Sequence, residues 1–168
     1  EQFVGKASKK QPPSFKGACF EMGLIRVKIE GDTCMVTLTE QGNDFALLEN
    51  PVLDLEIVNV NGVISSEESN FIMENIISKF QVEKIIVNKI LDVLKEGNLT
   101  SEEIDEIYKN ELKIFYLNIE ELTEEEIENR LLRTLTQDRI ATMGRLSELK
   151  VVNWEINPEG KSVYSLVR

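Results

Sequence analysis

The sequence predicts a mainly α-helical fold with small β-hairpins, an α+β protein built as two similar units joined by helices. Three observations predict it. From Thr123 to Lys150 a polar, acidic start leads into Leu131-Leu132-Arg133, then Ile140, Met143, Leu146 and Leu149 at three-residue spacing. That is the pattern of a helix with one buried side. Two β-type runs follow at once, Val151 to Ile156 and Ser162 to Val167, joined by the turn composition Asn157-Pro158-Glu159-Gly160-Lys161. Phe20 to Leu38 echoes that order: an apolar helix end, a strand, a glycine turn and a returning strand.

The elements follow in order. Glu1 to Pro13 is polar and basic, with Lys6, Lys9 and Lys10, and reads as a flexible arm. Ser14 to Glu21 is a short helix that Gly23 ends in the left-handed conformation. Leu24 to Ile29 alternates as a strand does, Glu30-Gly31-Asp32 turns, and Cys34 to Leu38 returns. A helix then runs from Thr39 to about Leu48, and Asn50-Pro51 stops it. Val52 to Ile64 is an apolar-rich connector. Ser65 with Glu68, Thr100 with Glu103 and Thr123 with Glu126 match the capping box, a hydroxyl at the cap and a carboxylate three residues on. Val82 to Glu96 is a strong amphipathic helix closed by Gly97. Leu112 to Ile119 alternates in part, as a short strand would. Beyond Thr123 two readings stay open. Drift in the apolar phase favours a helix to Leu135 and a separate one from Thr136 to Lys150; the other reading is one continuous helix. The resulting division is an N-terminal unit over 1–51, a connector and linker helix over 52–81, and a C-terminal unit over 82–168.

With 42% apolar residues in 168, the composition is that of a globular protein. No apolar run approaches the ~20 residues that cross a bilayer, and no leader opens the chain. The expectation is a cytoplasmic or nucleoid-associated protein, neither secreted nor membrane-bound. Cys19 and Cys34 are too few for a disulfide framework and read as small buried thiols. A start at Glu1 rather than Met suits a piece of something longer. The net charge of −11 opposes nucleic acid, but it is unevenly spread. Residues 1–30 and 130–168 are each +3, whereas residues 101–129 are −9 and suit a basic protein partner.

The chain has no histidine, so it lacks the commonest general base and metal ligand. No glycine-rich phosphate loop is present, and two cysteines cannot hold zinc. Glu120, Glu121 and Glu124 to Glu126 read as helix-start carboxylates that the macrodipole favours. The expectation is a protein that is not an enzyme, with no catalytic residue, metal or cofactor.

What remains is a recognition surface. In a helix over Gln137 to Lys150, Ile140, Met143, Leu146 and Leu149 form the buried side and Gln137, Ala141, Gly144, Arg145 and Glu148 the opposite one. Arg145 has the donors to read guanine and Gln137 the amide to read adenine. Arg130, Arg133, Arg139 and Lys150 flank the helix within reach of phosphates, and Lys161 stands at the hairpin tip. Lys16, Arg26 and Lys28 are the matching cations of the N-terminal unit. Gly144 costs about 1 kcal/mol of helix propensity against alanine, and either an approaching groove or a neighbouring helix would explain it. Trp154 reads as a packing anchor, and Phe71, Ile72 and Ile76 as an apolar side that builds a homodimer.

Leu38-Thr39-Glu40-Gln41-Gly42-Asn43-Asp44-Phe45 resembles the LT-x-x-G-x-x-F passage that follows the wing in winged helix proteins of the MarR and PadR type. Phe20-Glu21-Met22-Gly23-Leu24-Ile25 resembles the end of their recognition helix. Arg145 to Val152 resembles it too, with Lys150 where glycine is usual. The resemblance implies tandem winged-helix-like units. It also implies double-stranded DNA binding, as in a transcription regulator or the DNA-reading part of a larger protein. The alternative it leaves is a tandem winged-helix interaction scaffold of a multi-subunit complex.

Overall fold

The computed structural model describes residues 17–31, 33–51, 64–119 and 122–167. The chain is mainly helical, with two small antiparallel sheets of two and three strands, an α+β fold. It divides into two compact units, one ending at Ile76 and one beginning at Ile77. The basic arm, Lys16, most of the Val52–Ile64 connector, Glu120 and Glu121 lie outside the described residues.

In the first unit α1 (Ala18–Glu21) leads into β1 (Ile25–Glu30), β2 (Thr33–Leu38), α2 (Glu40–Ala46) and α3 (Ser66–Phe71). Helix α1 ends in a left-handed turn. Gly23 has φ 71°, its N–H donates to the Phe20 carbonyl, and the Leu24 N–H donates to the Cys19 carbonyl. The hairpin pairs Ile25 with Leu38, Val27 with Val36 and Ile29 with Cys34, which puts one apolar row along one face. Cys34 is exposed, contrary to the expectation of a buried thiol, because the described residues leave all of β2 open to solvent.

Thr39 joins hairpin to helix. Its hydroxyl oxygen accepts from the Gly42 N–H at 2.9 Å, and its O–H donates to the Gly23 carbonyl at 2.7 Å. Gly42 presses against the backbone of Leu24, and a Cβ there would overlap the Leu24 carbonyl oxygen. That contact is why the passage has glycine at this position. The Ser65–Glu68 capping box forms, and Glu68, 5% exposed, also accepts from Asn50 Nδ2 at 2.7 Å. Ile72 and Ile76 are buried in a π-helical turn, so the side expected to build a homodimer is already covered.

In the second unit the order is α4 (Gln81–Leu94), β3 (Leu99–Thr100), α5 (Ser101–Ile119), α6 (Glu124–Glu148), β4 (Val152–Ile156) and β5 (Ser162–Leu166). The strands form one sheet in the order β3-β5-β4. Leu99 pairs with Tyr164, and Tyr164 with Trp154. Both remaining capping boxes form, Thr100 with Glu103 and Thr123 with Glu126. The core comes from rows four residues apart: Ile86, Ile90 and Leu94 of α4, Ile104, Tyr108 and Leu112 of α5, and Ile127, Leu131 and Leu135 of α6. At ~25 cal/mol per Å² of apolar surface, each such side chain contributes about 1.5–3 kcal/mol of burial energy.

Two local expectations are overturned. Leu112 to Ile119 is helical, because Ile104, Tyr108, Leu112 and Tyr116 make a four-residue row that outweighs the partial alternation. The helix from Thr123 is continuous over 25 residues and does not break at Thr136. The apolar phase looks broken because the next core-facing position after Leu135 is Arg139. Its side chain is 13% exposed, its Nε donates to Asp105 Oδ1 at 2.7 Å, and its Nη1 donates to Ser101 Oγ at 3.1 Å. Ile140 is 59% exposed rather than buried. An i+3 step falls about 60° short of a full turn, so Ile140 lies well round the helix from Leu146.

Gly42→Ala should destabilise the first unit by about 1–3 kcal/mol, since the Leu24 backbone must move to admit a methyl group. Amide hydrogen exchange reports it: the β1 and β2 amides lose protection, and unchanged exchange would contradict the close contact.

Candidate nucleic-acid interface

Helix α6 ends as α1 does. Lys150 takes the left-handed conformation at φ 56°, its N–H donates to the Ser147 carbonyl, and the Val151 N–H donates to the Leu146 carbonyl. Lys150 therefore fills the turn position that Gly23 fills in the first unit. The chain reverses there directly into β4, which places the hairpin beside the last turns of α6.

The solvent face of α6 follows from burial. Arg130, Arg133, Gln137, Ile140, Ala141, Gly144 and Glu148 are all exposed. Arg133, Gln137, Ile140 and Gly144 are spaced four, three and four residues apart, one row along the helix. No carboxylate stands in this row between Arg130 and Ser147. The exposed Asp138 is about a quarter turn away and lines a groove with Glu83, Arg130, Ala141 and Arg145. Among the described residues nothing lies within 4 Å of where a Cβ on Gly144 would be. A neighbouring helix therefore does not explain that glycine.

The expected cations divide into two sets. Arg133 and Lys150 are exposed, and Gln137 stands between them on the face. Arg130 is also exposed, with its guanidinium carbon 4.3 Å from the centre of the Tyr116 ring. Lys161 is exposed, with Nζ 3.7 Å from a Glu102 carboxylate oxygen. Arg139 is committed to Asp105 inside the unit. Arg145 is turned away from the face, and its guanidinium pairs with the Glu83 carboxylate of α4. In the first unit Arg26 and Lys28 are exposed on one face of β1, and Lys28 pairs with Glu30 at 2.5 Å.

One feature eluded the sequence. Between α6 and the hairpin runs a groove of about 420 Å³ lined by Ile140, Met143, Gly144, Ser147, Trp154 and Tyr164. Trp154 is 54% exposed there, so it is only partly the packing anchor expected of it. Alternation put Trp154 on the apolar side of the sheet, but only the position of α6 decides how much of the ring stays open.

On the α4 side the buried Tyr108 donates its O–H to the Asp138 carbonyl at 3.2 Å. Burial pushes its phenol up to about 12 from an ordinary 10.0, and a hydrogen bond with Thr142 opposes that shift. Among the described residues no group of three acidic or cysteine side chains gathers as a metal site, and no helix is long and apolar enough to cross a membrane. Comparison with known protein families, curated proteins and solved structures finds no match to this chain.

A raised phenol contributes stability that is complete below its unfolded value and is lost as pH rises through the folded one. The wild-type chain should therefore lose on the order of 2 kcal/mol between about pH 10 and 12 relative to Tyr108→Phe, which has no proton to release. Urea midpoints of both proteins across that range measure it, and parallel curves would contradict the burial effect.

Proposed function

We propose that the second unit is a winged helix that binds double-stranded DNA, with α6 in the major groove and the β4–β5 hairpin as its wing. One observation carries the reading. This unit has eighteen Asp and Glu against thirteen Lys and Arg, yet the exposed row Arg133, Gln137, Ile140 and Gly144 of α6 holds no carboxylate; Asp138 lies about a quarter turn off the row, and Glu148 stands beyond its end. In a chain so acidic, such a stripe suits a polyanion. The element order α4, β3, α5, α6, β4, β5, with β5 central in the sheet, supports the architecture. Helix α6 is about 37 Å long at 1.5 Å per residue, enough to cross a major groove about 12 Å wide.

In this reading Gln137 faces base edges, and Arg130, Arg133, Lys150 and Lys161 hold phosphates. Arg139 and Arg145 act within the fold, one orienting α6 and the other tying it to α4. Arg26 and Lys28 offer a second, weaker contact. The protein is a DNA-reading part of a regulator or of a larger assembly, located in the cytoplasm or on the nucleoid, and it works by binding rather than by catalysis.

A second reading, a winged-helix scaffold for a protein partner, is favoured by the groove between Ile140 and Trp154. Exposed aromatic and branched side chains around a concavity are typical anchors of protein interfaces. The acidic helix starts of α5 and α6 would then meet a basic surface.

Salt separates the two. Each phosphate contact lowers log K by about 0.9 per unit of log salt, so four cations give a slope of roughly −3.6, and Arg133→Ala should reduce it by about 1. A slope near zero on mixed duplexes would move the assignment to the protein scaffold. Gly144→Ala should raise the urea midpoint, by about 1 kcal/mol of helix propensity, while weakening duplex binding through the added methyl group. A variant that gains stability and binds equally well would remove Gly144 from the contact surface.

A further inference from the structure

We infer that the α6 face reads A·T base pairs, with the Ile140 side chain against a thymine methyl group and the Gln137 amide on the adjacent adenine. The inference rests on the DNA reading and names the base composition of the site.

The middle of the face presents no arginine to a base. Guanine offers two acceptors in the major groove, and arginine is the side chain that matches both. The sequence puts Arg139 and Arg145 in the middle turns of α6, but neither is free to make that contact. Arg139 is held by Asp105 and Ser101, and Arg145 by Glu83. What those turns expose along the row is Gln137, Ile140 and Gly144, with Ala141 beside it and Asp138 about a quarter turn round the helix. An amide both donates and accepts, which matches the N6 and N7 edge of adenine. A branched apolar side chain finds its one complementary group in the major groove at the thymine methyl.

Exposure supports the pairing. Ile140 is 59% exposed at the rim of the groove it shares with Trp154, between Gln137 and Gly144 on the row. Gln137 is three residues away, one step along the same row. Ala141 and Gly144 add no bulk between the helix backbone and an approaching groove, and the space above Gly144 is empty. Charge sets the frame: Arg133 opens this row and Lys150 lies beyond it, about 25 Å away along the axis, with Glu148 exposed just before Lys150.

The test uses the full chain and a pool of duplexes with a randomised core. Retained duplexes should be enriched in A·T pairs at the centre of the site. Replacing the central thymines with uracil removes only the methyl groups, and should weaken binding about three- to tenfold for each contacted thymine. Ile140→Ala should bind the thymine duplex more weakly and no longer distinguish it from the uracil duplex. Ile140 is exposed, so this variant keeps its fold. Duplexes retained with a G·C core, or equal affinity for thymine and uracil duplexes, would overturn the inference while leaving DNA binding intact. Retention of no duplex would overturn the DNA reading itself, and the Ile140–Trp154 groove would then belong to a protein partner.

Discussion

The rotational setting of α6 depends on one partly buried ion pair. Arg139 occupies the position, one turn past Leu135, where an apolar residue would continue the core row. Instead its guanidinium reaches Asp105 and Ser101 on α5, and the pair is largely shielded from water. A guanidinium so placed is costly to leave unpaired, by about 3–5 kcal/mol for a fully buried pair, so the helix cannot turn about its axis without losing it. Which residues face outward follows from that constraint. Gln137, Ile140 and Gly144 are presented to solvent because Arg139 is not.

The same pairing reshapes the electrostatics. Residues 130–168 are net positive in the sequence, yet Arg139, Arg145 and Lys161 are each answered by a carboxylate from elsewhere in the unit. Local sequence charge therefore overstates the positive field. What survives is narrower: a short carboxylate-free row that begins at Arg133 and runs to Gly144, with Glu148 and then Lys150 beyond it.

Features that rest on neighbouring residues were legible in the sequence. The three capping boxes, both hairpins and the left-handed end at Gly23 all appear where local chemistry put them, while α2 ends at Ala46, ahead of the stop expected at Asn50-Pro51. Features that rest on distant partners were not. Arg145 reads as a base contact until Glu83, 62 positions earlier, is beside it. The apparent break at Thr136 is a charged residue in a core position, which an apolar count records as a loss of phase. Ile140 belongs to a three-residue series on paper and to the outer face in space. The face is thus half legible: Gln137, Arg133 and Gly144 were placed correctly, while Ile140 and Arg145 exchanged sides.

The short strand β3 has a consequence for how the second unit assembles. Leu99 pairs with Tyr164, so the sheet closes a span of 65 residues. Bringing such distant positions together from an open coil carries a large loss of chain freedom. The helices α5 and α6 form within that span and fold back on each other, which shortens the gap that the strands must bridge. The β4–β5 hairpin is a local pairing, whereas the β3–β5 pairing is the one that ties the sheet to the start of α5.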